Sequence, residues 1–317
     1  MMAAGRICPL NYRINLKDIK ESTSTSCETI YIIGGLYGNW AALNTILQRK
    51  RQEEAENNST ITLLFNGDFN WLNSTRETFK SINQEVFKHL ALKGNVECEI
   101  ATPTQGAGCG CAYPDSILDQ TVTHSNNIIK KLQKIAAYNQ EIIAKLAELP
   151  SFLNVSVGEL KITALHGDPD SIAGWGLGID AMPPIGQNSK CISSWFTQTE
   201  ADVFACSHTC LPFIQDFDDR LVVNNGSAGM PNFKKNLSGI ITRISTYKTN
   251  LPTLYGTKLK DCYIDAIAID WNSEWDDWFI QHWPSGSPAS SSYYSRFIDG
   301  PDFTIAQAIR LNTTKKI

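Results

Sequence analysis

Four side chains able to bind a cation stand at equivalent places in the sequence. Asp68 follows the run Thr62-Leu63-Leu64-Phe65 and the pair Asn66-Gly67; Asn95 follows Ala91-Leu92-Lys93 and Gly94. His166 closes Lys161-Ile162-Thr163-Ala164-Leu165, and His208 comes two residues after Asp202-Val203-Phe204-Ala205-Cys206. A carboxylate, an amide oxygen and two imidazoles form a mixed oxygen and nitrogen set that suits borderline ions such as Zn, Mn or Fe. Taken singly, each is an ordinary turn residue or a hydrogen-bonded core histidine. Four of them at the ends of strand-sized runs point to one shared centre.

Thiols are the second chemical resource, with nine cysteines against five histidines. Cys109 and Cys111 lie on the glycine-rich stretch Gly106-Ala107-Gly108-Cys109-Gly110-Cys111-Ala112-Tyr113-Pro114, shortly after Asn95 and Glu97. Glycines let a backbone approach a small site closely. With Cys210, the pair offers thiolates that favour Zn, Fe or Cu(I) over Mg or Ca. The alternatives are a redox-active pair or inert, buried thiols.

These residues need a scaffold, and the sequence supplies one. Two further apolar runs end in polar clusters: Thr29-Ile30-Tyr31-Ile32-Ile33 before residues 34–39, and Leu221-Val222-Val223 before Asn224-Asn225-Gly226-Ser227. Runs of four or five β-rich residues bounded by Gly and Asn read as buried strands. Asn39 is placed to cap a helix carrying Leu43, Ile46 and Leu47. One long helix is expected to carry Ile128, Leu132, Ile135, Ile142, Leu146 and Leu149 and to stop before Pro150. Alternating strands and helices predict a layered α/β architecture. In open α/β sheets ligands collect at the strand carboxyl ends, which places all six polar clusters on one edge.

The ordered clusters resemble the calcineurin-like metallophosphoesterases. The family's motifs run D-x-H-G-N, G-D-x-x-D, G-N-H-D/E, H-G, G-H-x-H and N-x-G-S. Their counterparts are Gly35-Leu36-Tyr37-Gly38-Asn39, Gly67-Asp68, Gly94-Asn95-Val96-Glu97, His166-Gly167-Asp168-Pro169, Ser207-His208-Thr209-Cys210 and Asn224-Asn225-Gly226-Ser227, spanning residues 29–230. The resemblance implies an α-β-β-α sandwich of two mixed sheets flanked by helices. It also implies one or two divalent transition-metal ions (Zn, Fe or Mn).

By this resemblance, one half of a two-metal centre is intact: Asp68, Asn95, His166 and His208. The other half is rewritten, with Gly35, Tyr37 and Cys210 beside the shared Asp68. Cys210 thus stands where a ligand is missing, and Cys109 and Cys111 are further thiol candidates. Tyr37 is either a proton donor at the site or a ring that fills the space of an absent ion. Val96 stands where the family carries a histidine that acts as general acid, and valine transfers no proton. Asn39 is the candidate substrate contact.

Composition narrows the partners. The 317 residues carry a net charge of −4, with 42% hydrophobic and 19% charged residues. No apolar run approaches the ~20 residues of a membrane span. No basic run favours nucleic acid. Residues 1–16 lack the pattern of a secretory leader, so a cytoplasmic, reducing setting is expected. Oligomeric state is not legible.

Residues 1–245 are expected to form the phosphoesterase-like domain, and 246–317 a strand and aromatic-rich extension packed on it. Four of the eight tryptophans fall between Trp271 and Trp283. They either pack the tail down or cover the site. The expected activity is a metal-dependent phosphoesterase acting on a small-molecule phosphoester. The alternative is a non-catalytic descendant that binds metal or scaffolds a partner.

Overall fold

A computed structural model describes residues 4–312. Thirteen strands fall in two mixed sheets. The strands are β1 (Ser24–Cys27), β2 (Thr29–Ile33), β3 (Ile61–Asn66), β4 (Leu90–Leu92), β5 (Phe152–Val157), β6 (Leu160–Leu165), β7 (Val203–Cys206), β8 (Phe213–Phe217), β9 (Arg220–Asn224), β10 (Gly239–Ser245), β11 (Tyr255–Leu259), β12 (Cys262–Ile269) and β13 (Ile309–Arg310). One sheet has the order β1-β5-β6-β7-β9-β8-β13, the other β11-β12-β10-β2-β3-β4. The helices are α1 (Leu16–Glu21), α2 (Trp40–Asn57), α3 (Arg76–Val86), α4 (Asn95–Ala101), α5 (Asp119–Ala136), α6 (Gln140–Glu148), α7 (Lys190–Thr199), α8 (Ser273–His282), α9 (Pro288–Asp299) and α10 (Ile305–Ala308). This is the α/β sandwich that the motifs imply.

The continuous apolar runs are explained by burial on both faces. In β2, Tyr31 and Ile33 join the core beneath the helices, while Ile30 and Ile32 join the core between the sheets. β3 divides likewise, with Leu63 and Phe65 toward the helices and Leu64 inward. A strand's period of two sends alternate residues to opposite layers, so neither face has room for polar residues.

One sequence reading changes. The expected long helix is two, because α5 ends at Ala136 and α6 begins at Gln140. The intervening turn puts the Tyr138 ring against the Arg76 guanidinium, 3.0 Å from the ring centroid. The apolar period persists across the break because Ile128, Leu132, Ile142 and Leu146 enter the same core. As expected, Asn39 caps α2, its side chain accepting from the Ala42 amide at 2.9 Å.

The chain after residue 245 contributes to the sandwich itself, since β11 and β12 complete one edge of the six-stranded sheet. Its aromatic residues mostly pack: Trp275, Phe279, Trp283 and Phe297 are buried, and Trp283 Nε1 donates to the Leu72 carbonyl. α9 lies along α5. One aromatic goes elsewhere: Tyr293 accepts from Trp71 Nε1 at 2.9 Å and lines the cleft described below. Among the described residues, no helix is long and apolar enough to cross a membrane.

Candidate metal centre

Four strand ends deliver the four predicted ligands. Asp68 follows β3 on a tight turn in which Gly67 and Asp68 both have positive φ (81° and 54°). Gly67 is also required sterically, because a β-carbon there would lie 2.6 Å from the Gly94 nitrogen and from His166 Nδ1. Asn95 opens α4 after β4, His166 follows β6, and His208 follows β7. The first two therefore come from one sheet and the histidines from the other. Asn66 stitches the same ends together, its Nδ2 donating to the Leu165 and Ala205 carbonyls and to Ser207 Oγ.

The donor atoms converge. His166 Nε2 is 3.2 Å from Asp68 Oδ2 and 3.2 Å from His208 Nδ1. Among the described residues, Asp68, His166 and His208 form the one group of three His, Cys, Asp or Glu side chains whose ligand atoms all lie within 4.8 Å of one another. Each imidazole is oriented by its remote nitrogen: His166 Nδ1 meets the Asn66 carbonyl at 2.8 Å and His208 Nε2 the Cys111 carbonyl at 3.2 Å. Such partners fix the tautomer and ring direction of metal-binding histidines. The second oxygen of Asp68 accepts from the Val96 amide.

Asn95 supplies the test of fit. Its Nδ2 donates to the Cys109 carbonyl at 2.9 Å, whereas its Oδ1 is buried with no hydrogen-bond partner. A buried amide oxygen left without a donor is costly, and a cation is one partner that would satisfy it. With a carboxylate and two imidazoles alongside, the residues present suit a borderline divalent ion.

The electrostatics divide: burial opposes a charge on His166, yet the adjacent Asp68 raises its pKa, which favours a proton over a cation there. Burial opposes ionisation of Asp68, yet the His166 imidazole beside it holds its carboxyl below the usual range. Burial and the neighbouring His166 push His208 down to about 4, so its ring is neutral. Glu97, one residue past Val96, is a functional residue that the sequence reading left without a role. Fully buried, it accepts from the amides of Asp68, Gly94 and Asn70, tying the β3 and β4 ends together. Burial and the nearby Asp68 charge raise its pKa to about 7.

The rewritten half holds no converging ligands. The Tyr37 ring lies over Gly35, and its hydroxyl is 2.7 Å from Cys210 Sγ. Burial raises both the phenol and the Cys210 thiol well above or above their usual values, so neither is a ready anionic ligand near neutrality. The Cys109 thiol donates to Cys111 Sγ at 2.7 Å, and Cys111 Sγ accepts from Asn95 Nδ2 at 3.4 Å and lines the cleft with Asp68 and His208. Asn39 also leaves the site. Its Oδ1 caps α2 and its Nδ2 donates to the Gly229 carbonyl, so a fully buried amide is spent on structure rather than on substrate.

What remains open is a cleft of about 110 Å³ above Asp68 and His208. Five aromatic rings line it: Tyr37, Trp71, Tyr113, Trp175 and Tyr293. Four of these carried no motif. Trp175 meets the His208 ring edge-on at 5.3 Å and donates from Nε1 to the Cys111 carbonyl. Val96 lines the same cleft, and no lysine or arginine does among the described residues.

No family model and no curated protein matches the sequence. Solved structures do match. A hypothetical protein from Pyrococcus horikoshii is 15% identical, with a TM-score of 0.58 over 86% of this chain and 99% of that one. A metallophosphoesterase from Sphaerobacter thermophilus is 12% identical, with a TM-score of 0.53 over 87% of this chain and 100% of that one. The sandwich, its strand-end centre and these likenesses agree: the chain has the metallophosphoesterase fold.

Proposed function

We propose that the chain is a phosphoester hydrolase working with one divalent transition-metal ion, held by Asp68, Asn95, His166 and His208. The observation that carries this reading is the convergence of the Asp68, His166 and His208 ligand atoms, with the Asn95 oxygen left without a protein partner. A Zn, Fe or Mn ion there would polarise a phosphoryl oxygen and lower the pKa of water.

The protein's own groups set the limits of this chemistry. The carbonyls of Asn66 and Cys111 hold the two imidazoles, and Val96 N–H holds the carboxylate. The aromatic walls exclude water and accept one small phosphoester. Tyr37 places a hydroxyl in the cleft, but burial keeps it a weak acid and its hydroxyl engages Cys210. No side chain lining the cleft replaces the missing general acid at Val96. The substrates that suit such a site are esters with good leaving groups.

A second reading, a metal-binding but non-catalytic protein, is favoured by the Tyr37 ring occupying the rewritten half. The experiment measures metal content and turnover of an aryl phosphodiester with Mn, Fe and Zn, in the parent and in Asp68→Asn. One ion per chain with metal-dependent turnover, both lost in the variant, supports the hydrolase. One ion without turnover of any aryl ester supports the second reading.

A further inference from the structure

The thiols that failed to become ligands are arranged for something else. Cys109 and Cys111 are separated by one glycine, and their sulfurs lie 2.7 Å apart, within about 0.7 Å of the ~2.05 Å disulfide length. The loop that carries them is built to hold this geometry. Gly110 has φ of 74°, and a β-carbon on it would meet the Tyr12 hydroxyl at 2.3 Å. The Cys109 amide donates to Asn126 Oδ1, and its carbonyl accepts from Asn95. The Cys111 carbonyl accepts from both Trp175 Nε1 and His208 Nε2. Cys109 is fully buried, whereas Cys111 is 9% exposed and lines the cleft.

We propose that Cys109 and Cys111 form a reversible disulfide, made by hydrogen peroxide and undone by a dithiol, whose state is transmitted to His208 through the Cys111 carbonyl. Peroxide enters by the cleft. The Cys111 sulfur attacks one peroxide oxygen as its thiol proton leaves, the O–O bond breaks, and the departing hydroxide takes that proton to become water. Cys111 is then a sulfenic acid. The Cys109 sulfur attacks the Cys111 sulfur; the S–S bond forms, the S–O bond breaks, and the leaving hydroxide takes the Cys109 proton as a second water. Two thiols have lost two electrons, and one peroxide has become two waters. In the reverse direction a dithiol is oxidised to its own disulfide. Closing so small a ring turns the peptide at Cys111, and with it the carbonyl that orients His208.

The inference stands apart from catalysis, and its test reads thiols and metal affinity rather than turnover. Cys8 and Cys191 are the exposed cysteines, so a Cys8→Ser/Cys191→Ser background removes the most accessible thiols, and mapping separates the pair from the half-buried Cys27, Cys98 and Cys210. After peroxide, two further thiols are expected to disappear, with a cross-link mapped to the peptide holding residues 109 and 111. Dithiothreitol is expected to restore both. Cys109→Ser is expected to stop at a Cys111 sulfenic acid that dimedone traps. Affinity for Mn(II), which thiols bind weakly, is measured by competition with a chelating dye. It is expected to fall about 10- to 100-fold on oxidation, the usual effect of disturbing a histidine's outer partner. Persistence of both thiols overturns the inference. So does a cross-link that leaves Mn(II) affinity unchanged. Peptide mapping of the unsubstituted protein repeats the measurement without dependence on the variants' folding.

Discussion

The ring of Tyr37 covers Gly35 so closely that a β-carbon on the glycine would lie 2.3 Å from Tyr37 Cζ. The two departures from the first motif are therefore one change: the ring occupies the volume that a side chain at position 35 needs. Gly35→Ala is expected to cost about 1–3 kcal/mol by overpacking. In a Tyr37→Ala background the same substitution is expected to cost much less. Urea unfolding of the four proteins forms a double-mutant cycle, and a coupling near zero would show that the ring moves aside freely.

The same relationship governs any attempt to rebuild the second half of the centre. Gly35→Asp alone is expected to destabilise the protein without adding an ion. Gly35→Asp, Tyr37→His and Cys210→His together are expected to raise the bound metal from one ion per chain to two. Elemental analysis after gel filtration checks the count.

Asn95 invites a prediction of opposite signs. Replacing it with alanine removes a buried, unpartnered oxygen, but also the bond to the Cys109 carbonyl. Metal-free Asn95→Ala is expected to lie within about 1 kcal/mol of the parent, since one loss offsets the other. The stabilisation that added Mn or Zn confers is expected to shrink sharply. At a hundredfold excess over Kd that stabilisation is about 2.7 kcal/mol in the parent, and thermal unfolding with and without metal measures it.

Far from the centre, Arg243 is fully buried on β10, with Nε and Nη2 both donating to Glu53 Oε1 of α2. Tyr31 donates to the other Glu53 oxygen. Removing Glu53 leaves the buried guanidinium with Asp265 Oδ2, 3.5 Å from Nη1, as its remaining carboxylate, so Glu53→Leu is expected to cost about 3 kcal/mol, the low end for a broken buried pair. The pair Glu53→Leu with Arg243→Met is expected to recover most of that loss. Denaturant unfolding reads both, and metal affinity is expected to stay at the parental value in the double variant.

Catalysis without a general acid leaves a kinetic signature. With Val96 in the cleft, turnover is expected to fall steeply as the leaving group becomes more basic, by about 10²–10⁴-fold relative to an acid-assisted reaction for alkyl esters. Rates across substituted phenyl phosphodiesters give the slope. A shallow slope would mean that some group in the cleft supplies the proton.

The sheets were legible where both faces of a strand are buried, because β2 and β3 then read as unbroken apolar runs. Edge strand β1, Ser24–Cys27, is mostly exposed and polar, so no run marks it. β10 hides an arginine among its apolar residues, and the Glu53 that neutralises it lies 190 residues away. The break at 137–139 was invisible because both helices keep one apolar phase. At the centre, Asp68, His166 and His208, whose ligand atoms converge, could be named from their strand ends. Asn39 misled, since a capping side chain and a substrate contact look alike in a Gly-Asn pair. The aromatic walls could not be foreseen: Trp71, Tyr113, Trp175 and Tyr293 meet only after folding.

That Asp68 and Asn95 hang from one sheet and His166 and His208 from the other has a mechanical meaning. An ion shared among them would be a rivet through both layers of the sandwich, at the one edge where the chain leaves each strand. Withdrawing it would leave the seam at that edge to Asn66, whose side chain donates across the layers to the Leu165 and Ala205 carbonyls.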